Sequence, residues 1–429
     1  MDDKKNIVIL GGSYGGISTA HYLLKHALPK LLDSKSYRVV LISKTSQAMC
    51  RPAVPRALIS DAMFPQDKLF VSIPDNFSQY TTGSFVFEQG TATALDYEKR
   101  TVSVLLAKDG DSGTELTITY HTLVIATGAS TPSPLLGFTH DEVSLKSSWR
   151  LFREALPRAR HIIIAGGGAS GVEVAGELGE HLNGRAGWLS STLSNPKVQI
   201  TLLSGGSRIL PYLRPAIART AETYLAKVGV RTVHNTRVVT VAPPTAGVED
   251  VAANATLTLD NGETLRADLY IPATGTLPNT DFVPVVLRCP DGRVNTDATT
   301  LRVIEAGERV YAIGDASAAT RPAIHNIISM VPVLCANIKH DSLLGANQQA
   351  QVVGEDRVFN EDTRETQLVP IGKSKGVGAA MGMRLPSFLV WLIKGRDYWL
   401  WTTGNLWSGK QWTRSHDGLD RASFVTEVV

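Results

Sequence analysis

Two stretches of the chain repeat one pattern of apolar and small residues. Ile7-Val-Ile-Leu10 is an unbroken apolar run, followed by Gly11-Gly-Ser-Tyr-Gly-Gly16 and then, from Ile17 to Leu32, by apolar positions at helical spacing. Ile162-Ile-Ile-Ala165 leads in the same way into Gly166-Gly-Gly-Ala-Ser-Gly171 and the helical stretch Val172 to Leu182. A short apolar run without alternation reads as a strand buried on both faces. A glycine turn into a helix directly after it opens a dinucleotide-binding βαβ unit. The second strand of each unit is expected at Tyr37 to Ile42 and at Val198 to Leu203.

The parallel continues. Leu123-Val-Ile-Ala-Thr-Gly128 closes the first unit and Leu269-Tyr-Ile-Pro-Ala-Thr-Gly275 the second, each a buried strand running into a small-residue turn. Hairpins are expected around Leu95-Asp-Tyr-Glu-Lys-Arg100 in the first unit and around Asn261-Gly262 in the second. A further strand, Val310-Tyr-Ala-Ile, ends in Gly314-Asp315-Ala316. The fold class expected is α/β: two Rossmann-like, three-layer dinucleotide-binding domains, one inserted in the other, plus a small C-terminal α+β region. The boundaries read as 1–148 with 276–350, then 149–275, then 351–429.

Composition adds exclusions. The 429 residues are about three times a typical domain of ~150. The 43 basic and 40 acidic residues are too balanced for a general nucleic-acid binder. Cys50, Cys289 and Cys335 lie far apart without a CxxC pair, so neither a disulfide framework nor a thiolate metal site is expected. No signal-peptide pattern follows Met1, and the longest candidate for a membrane span, Phe388 to Ile393, has six apolar residues where ~20 are needed.

The first glycine of such a loop permits the tight turn. The second lets backbone approach a pyrophosphate, and the third lets helix pack on strand, while the helix N-terminus presents free N–H groups to the phosphates. Gly166, Gly168 and Gly171 fill all three places; in the first loop Gly11 and Gly16 take the outer two and Ser13 the middle one, which requires a negative φ at Ser13. Asp315, at a strand end, offers a carboxylate to sugar-like hydroxyls, or else caps the segment that follows.

The set GGSYGG, IATGAS, GGGASGVEVAGEL, PATGTLPN and AIGDAS resembles the flavoproteins with two dinucleotide-binding domains. Within them it is most similar to the apoptosis-inducing-factor-like, ferroptosis-suppressor and type II NADH dehydrogenase group. The motifs span Ile7 to Ala316, and Val369 to Gly409 is similar to that group's C-terminal region. The resemblance implies FAD in the first unit and NADH or NADPH, as electron donor, in the second. Gly11, Gly12, Ser13, Gly15 and Gly16 would then cradle the FAD pyrophosphate, and Asp315, with Gly314, would face the ribityl chain. Thr127, Gly128, Ser43, Lys44, Arg51 and Ala92 would complete the FAD site. Gly166, Gly168 and Gly171 would hold the NAD(P)H pyrophosphate, with Ser204, Arg208 and Gly275 nearby. Glu173 matches a glutamate that faces nicotinamide and flavin in this group and is the leading catalytic candidate; by physics alone it suits the positive end of a helix. His325, beyond the Gly-Asp turn, is the second candidate, against the alternative of a helix-capping or core histidine.

Three departures stand out. The acid that usually meets the adenosine ribose after the second strand is replaced by Ser43-Lys44 in the first unit and by Ser204-Gly-Gly-Ser-Arg208 in the second, which permits NADPH. Cys50 sits near the place of a redox thiol in peroxide- and disulfide-reducing relatives, but Met49-Cys50-Arg51-Pro52 does not match their motif. A structural cysteine is the expectation, although Arg51 could lower its pKa. Finally, Trp391, Trp399, Trp401, Trp407 and Trp412 crowd the tail, and seven basic residues face one acid between Ile371 and Ser415. That composition suits a membrane interface over 386–412, the alternative being aromatics that cap the FAD domain or form a homodimer contact.

The expected function is transfer of hydride from NAD(P)H to FAD and then of electrons to a small-molecule acceptor, a quinone first. The alternatives are an NAD(P)H oxidase, a carrier-protein reductase, or a redox-sensing interaction protein. Expected locations are the cytoplasm and the surface of mitochondrial or lipid-droplet membranes, with no nucleic-acid partner.

Overall fold

The structure is a computed structural model that describes residues 4–31, 33–107, 113–138, 141–345 and 355–415. The expected helix end at Leu32 and the expected domain boundary at 350/351 lie outside the described residues.

The first apolar run is strand β1 (Lys5–Leu10), and the glycine turn feeds α1 (Tyr14–Tyr22). Strand β2 (Tyr37–Ser43) follows, then the short helix α2 (Val54–Ala57), and then a hairpin pair, β3 (Phe85–Asp96) and β4 (Thr101–Leu106). Strands β5 (Glu115–Thr119) and β6 (Thr122–Ile125) complete this stretch. Helix α3 (Glu142–Ala155) leads into the second unit: β7 (His161–Ala165), α4 (Ala169–Asn183), β8 (Gln199–Leu203), α5 (Pro215–Ala226) and β9 (Val230–Val233). The meander β10 (Val238–Ala242), β11 (Ala255–Leu259) and β12 (Thr264–Ala267) precedes the closing strand β13 (Leu269–Pro272). The chain then returns to the first sheet with β14 (Val310–Ala312) and helix α6 (Ile324–Leu344).

Seven strands form the first sheet in the order β14-β6-β1-β2-β3-β4-β5. β1 lies parallel between β2 and β6, with Ile7 opposite Val39 and Thr122, and Val310 of the returning β14 opposite Leu123. The second sheet runs β9-β8-β7-β13, all parallel. One Rossmann-like unit is therefore inserted in the other, and the buried aliphatic runs are central strands covered on both faces. Crossover chirality and helix packing then place both glycine turns at the carboxyl ends of their sheets, where open α/β sheets bind ligands.

Two elements differ from the sequence reading. The first helix is α-helical only to Tyr22; a π-turn, Leu23–Ala27, and a 3-10 turn, Leu28–Lys30, follow. The widened turn coincides with side chains that clip the C-terminal segment, described below. Helix α6 is long and apolar enough by itself to cross a membrane, but it lies mostly buried in the molecule and packs along α1. It, and not Phe388 to Ile393, is the longest candidate span among the described residues; Asn326, Pro332 and Asn337 interrupt its apolar pattern, and Asn337 bonds the carbonyls of Thr300 and Arg357.

The C-terminal region is a small α+β layer: β15 (Gln367–Ile371) and β16 (Lys375–Ala380) antiparallel, α7 (Ser387–Val390), a π-turn Trp391–Gly395, and α8 (Leu400–Trp407). β15 lies against α4 at a place where the helix has no side chain: a Cβ on Gly176 would come within 2.9 Å of Ile371.

Candidate functional site

The two glycine turns are copies of one geometry. Gly11 (φ +117°) and Gly166 (φ +128°) adopt a backbone that side chains rarely tolerate, and an added Cβ would lie 2.1 Å and 2.0 Å from the carbonyl oxygens of Ala126 and Ala273. Gly16 and Gly171 pack so closely that a Cβ would fall 1.8 Å and 2.0 Å from the carbonyls of Gly11 and Gly166. Beneath each loop sits a serine at the carboxyl end of the second strand, Ser43 closing β2 and Ser204 directly after β8: a Cβ on Gly12 would be 2.5 Å from Ser43 Oγ, and one on Gly167 2.6 Å from Ser204 Oγ.

The middle positions are open. Ser13 has φ −131°, the negative value its place requires, and its side chain is exposed. Gly168 has φ −74°, and a Cβ there would meet nothing within 4 Å; the same holds at Gly128 and Gly275 beyond the closing strands. Each unit thus presents tight backbone, a helix N-terminus and free space in front, which fits a dinucleotide pyrophosphate. A Cβ on Gly15 would meet Ile313 and Ile327 at ordinary contact distance.

At the far end of the first cradle, Gly314–Ala316 forms a 3-10 turn. Arg51 Nη1 stands 4.0 Å from Asp315 and donates to the carbonyl of Ala129 at 3.0 Å. Burial pushes the Asp315 carboxyl up, against the pull of Arg51. Thr127 and Gly128 are tied to the returning chain, with Thr127 Oγ1 donating to the Asn279 carbonyl and Asn279 N–H to the Gly128 carbonyl. Arg51, Thr127, Gly128, Gly314 and Asp315 therefore share one site. Lys44 is exposed beside Ser43, and Ala92 lies on β3 next to a bulge between Ala92 and Ala94.

A buried cluster of charges joins the two units and the C-terminal region. Glu173 Oε1 accepts from Lys394 Nζ at 2.6 Å, and both side chains are less than a tenth exposed. One turn along α4, Glu177 takes a bidentate pair from Arg56 of α2, at 2.7 and 3.0 Å, and a third bond from the Tyr398 hydroxyl at 2.9 Å. Arg56 also donates to the carbonyls of Gly372 and Arg396, and Lys394 to that of Leu368. Burial raises the Glu173 carboxyl to about 7, although Lys394 opposes the shift. A carboxyl that titrates near neutrality in a closed place can hold or pass a proton.

A profile of the pyridine nucleotide-disulphide oxidoreductase family matches residues 5–333. The chain belongs to this family. Oxidoreductase phnG of Penicillium herquei is 61% identical over 412 residues, 96% of this chain and 98% of its own. Demethylphylloquinone reductase NdbB of a Synechocystis strain is 26% identical, over 73% of this chain and 72% of its own. The structure of NDH2 from Plasmodium falciparum in complex with NADH superposes with a TM-score of 0.63 at 16% identity, covering 96% of this chain and 99% of that one. As an oxidoreductase of this family the chain uses FAD and NAD(P)H.

Three further placements bear on the family's chemistry. Cys50 is fully buried between the Tyr14 hydroxyl and the Tyr398 carbonyl, and burial pushes its thiol up to about 12. Arg51 is turned to Asp315 instead and does not activate it. His325 lies in the first turn of α6 facing Arg321 and Asp362; its Nε2 is buried without a partner, and burial lowers its pKa. Among the described residues its side chain makes no hydrogen bond or ion pair to Asp315 or Glu173. Arg208 donates to the Pro211 carbonyl at 3.0 Å within its own turn.

The tail is docked onto α1. Trp407 and Trp412 are buried, Trp407 packing its ring 4.8 Å from that of Tyr14, while His21, Lys25 and His26 bond the carbonyls of Trp407, Gly409 and Trp412. These two tryptophans cap the first unit, the alternative weighed from sequence. Phe388, Leu392 and Trp401 stay exposed.

Sequence reading missed Arg56, Glu177, Lys394 and Tyr398. The signal available was two glutamates four apart, Glu173 and Glu177, in the otherwise apolar and small-residue stretch Gly171 to Gly179, and a lysine directly after the apolar run 388–393.

Proposed function

We propose that this chain is an NAD(P)H:quinone-type oxidoreductase acting at a membrane surface. The observation that carries the reading is the Glu173–Lys394 pair, buried where the second cradle's helix, the first unit and the C-terminal layer meet. Bound FAD would supply the two-electron chemistry, accepting hydride from the nicotinamide. Reduction of a quinone, NAD(P)H + H⁺ + quinone → NAD(P)⁺ + quinol, consumes a proton as well. Glu173, raised by burial to about 7, would hold and pass this proton, with Lys394 as its hydrogen-bond partner. The three cysteines do not make a dithiol pair: Cys50 and Cys335 are buried apart and Cys289 is distant from both in sequence. The name of NdbB, a quinone reductase, supports the same acceptor class. FAD is assigned to 1–148 with 276–350, NAD(P)H to 149–275.

Anaerobic absorbance of the FAD-loaded protein tests the reading. Addition of NADH or NADPH should bleach the flavin band, and a soluble quinone should restore it. A band that bleaches but does not recover would sink the quinone assignment and favour a redox sensor. For the membrane surface, Phe388, Leu392 and Trp401 lie exposed on the C-terminal segment together with Lys375, Arg384, Arg396 and Lys410. Replacing the three apolar residues by Ser should lower co-sedimentation with anionic vesicles while the flavin spectrum stays unchanged; equal sedimentation would overturn this part.

A further inference from the structure

We propose that Arg237 recognises a phosphomonoester on the adenosine ribose, making the second cradle selective for NADPH. The inference rests on the assignment of that cradle to NAD(P)H. In a βαβ dinucleotide site the adenosine ribose lies at the carboxyl end of the second strand, here β8, and an acid there ordinarily binds the 2′-hydroxyl. The segment after β8 is Ser204-Gly-Gly-Ser-Arg208, with no carboxylate to bind a hydroxyl or repel a phosphate.

What fills that place is a side chain from the turn between β9 and β10. A Cβ added to Gly205 would lie 2.9 Å from Arg237 Cγ, 3.0 Å from its Nε and 3.4 Å from its Cδ. The Arg237 side chain therefore crosses over Gly205 and occupies the room that a side chain at 205 would take.

The crossing is built, not incidental. Ser204 N–H donates to the Val233 carbonyl at 2.8 Å, Thr236 N–H to the Ser204 carbonyl at 2.9 Å, and Asn235 N–H to the Gly206 carbonyl at 2.9 Å, so the turn before β10 is zipped to the turn after β8. Arg237 itself is fixed by its backbone: its N–H donates to Asp260 Oδ1 at 3.1 Å, and its carbonyl accepts from Asp260 N–H at 2.9 Å. Its side chain is exposed, and among the described residues no carboxylate lies within ion-pair distance of its guanidinium. A planar guanidinium held open at this spot matches a phosphate by a bidentate, charge-assisted pair. Arg208, the candidate suggested by sequence, is turned to the Pro211 carbonyl. Glycine at 205 and arginine at 237 thus form one device, the first making room for the second.

Equilibrium titration of the FAD-loaded protein with NADP⁺ and NAD⁺, which bind without reducing the flavin, tests this. The wild type should bind NADP⁺ more tightly. Arg237→Ala should lose that preference by about 10- to 100-fold with NAD⁺ affinity unchanged, Arg237→Lys should recover part of it, and Arg208→Ala should leave it in place. Equal affinity of the wild type for both nucleotides, or an unchanged ratio in Arg237→Ala, would overturn the role of Arg237. Loss of preference in Arg208→Ala alone would move the role to Arg208. Absence of binding of either nucleotide by the wild type would overturn the assignment of the cradle, and the proposal with it.

Discussion

Glu173 and Lys394 stand 221 positions apart, yet their side chains meet at 2.6 Å in the interior. Removing one partner leaves a buried charge without compensation, so Lys394→Ala should cost about 3–5 kcal/mol of stability in urea unfolding, whereas Glu173→Gln with Lys394→Met should cost far less. The pH sign follows from the Glu173 carboxyl, raised from 4.5 to about 7 on folding. The native state holds this proton more tightly than the unfolded chain does, so the contribution is present below pH 4.5 and is lost as pH rises through 7. The double variant should lack that decline; a double variant with the wild-type slope would show that another group titrates. At Gly168 the space is open and φ is ordinary, so Gly168→Asp should fold, retain FAD and fail to bind NAD(P)H. Loss of the flavin from this variant would reverse the assignment of the two cradles.

At the scale of elements, helix α1 and its π-turn carry two loads. The N-terminus faces the first cradle, and His21, Lys25 and His26 farther along hold the C-terminal segment. His21 is fully buried, stacked on Phe77 at 4.0 Å, and burial lowers its pKa to about 4. A depressed folded value means that the unfolded chain binds the proton more tightly, so this contribution is present above pH 6.5 and is lost as pH falls from 6.5 through 4. Acidification over that window should release Trp407 and Trp412 from their contacts, read as a change in tryptophan fluorescence that His21→Gln weakens. The βαβ units were legible in the sequence because a strand, a glycine turn and a helix are contiguous, and each glycine answers a local steric demand. The π-turn was not, since Leu23–Ala27 has the composition of an ordinary helix and the partners of Lys25 and His26 lie in the tail.

For the whole molecule, the C-terminal region completes the interior. It supplies Lys394 and Tyr398 to the buried cluster, Ile371 against Gly176, and Trp407 and Trp412 against α1. Truncation before Pro386 should therefore abolish the cooperative thermal transition of the intact chain and release FAD, beyond any effect on vesicle binding. A truncated protein with unchanged melting and flavin content would show that the tail is only an attachment.

By itself the sequence determined the nesting of the two units and the places of both glycine turns, because these depend on residues close together in the chain. Tertiary structure decided which polar groups face each other inside: Arg56 with Glu177, Lys394 with Glu173, Arg237 over Gly205. It also decided that Trp407 and Trp412 are buried while Trp401 is not. Burial and charge pairing are properties of which elements stack together, and no local pattern of residues encodes a neighbour that arrives from hundreds of positions away.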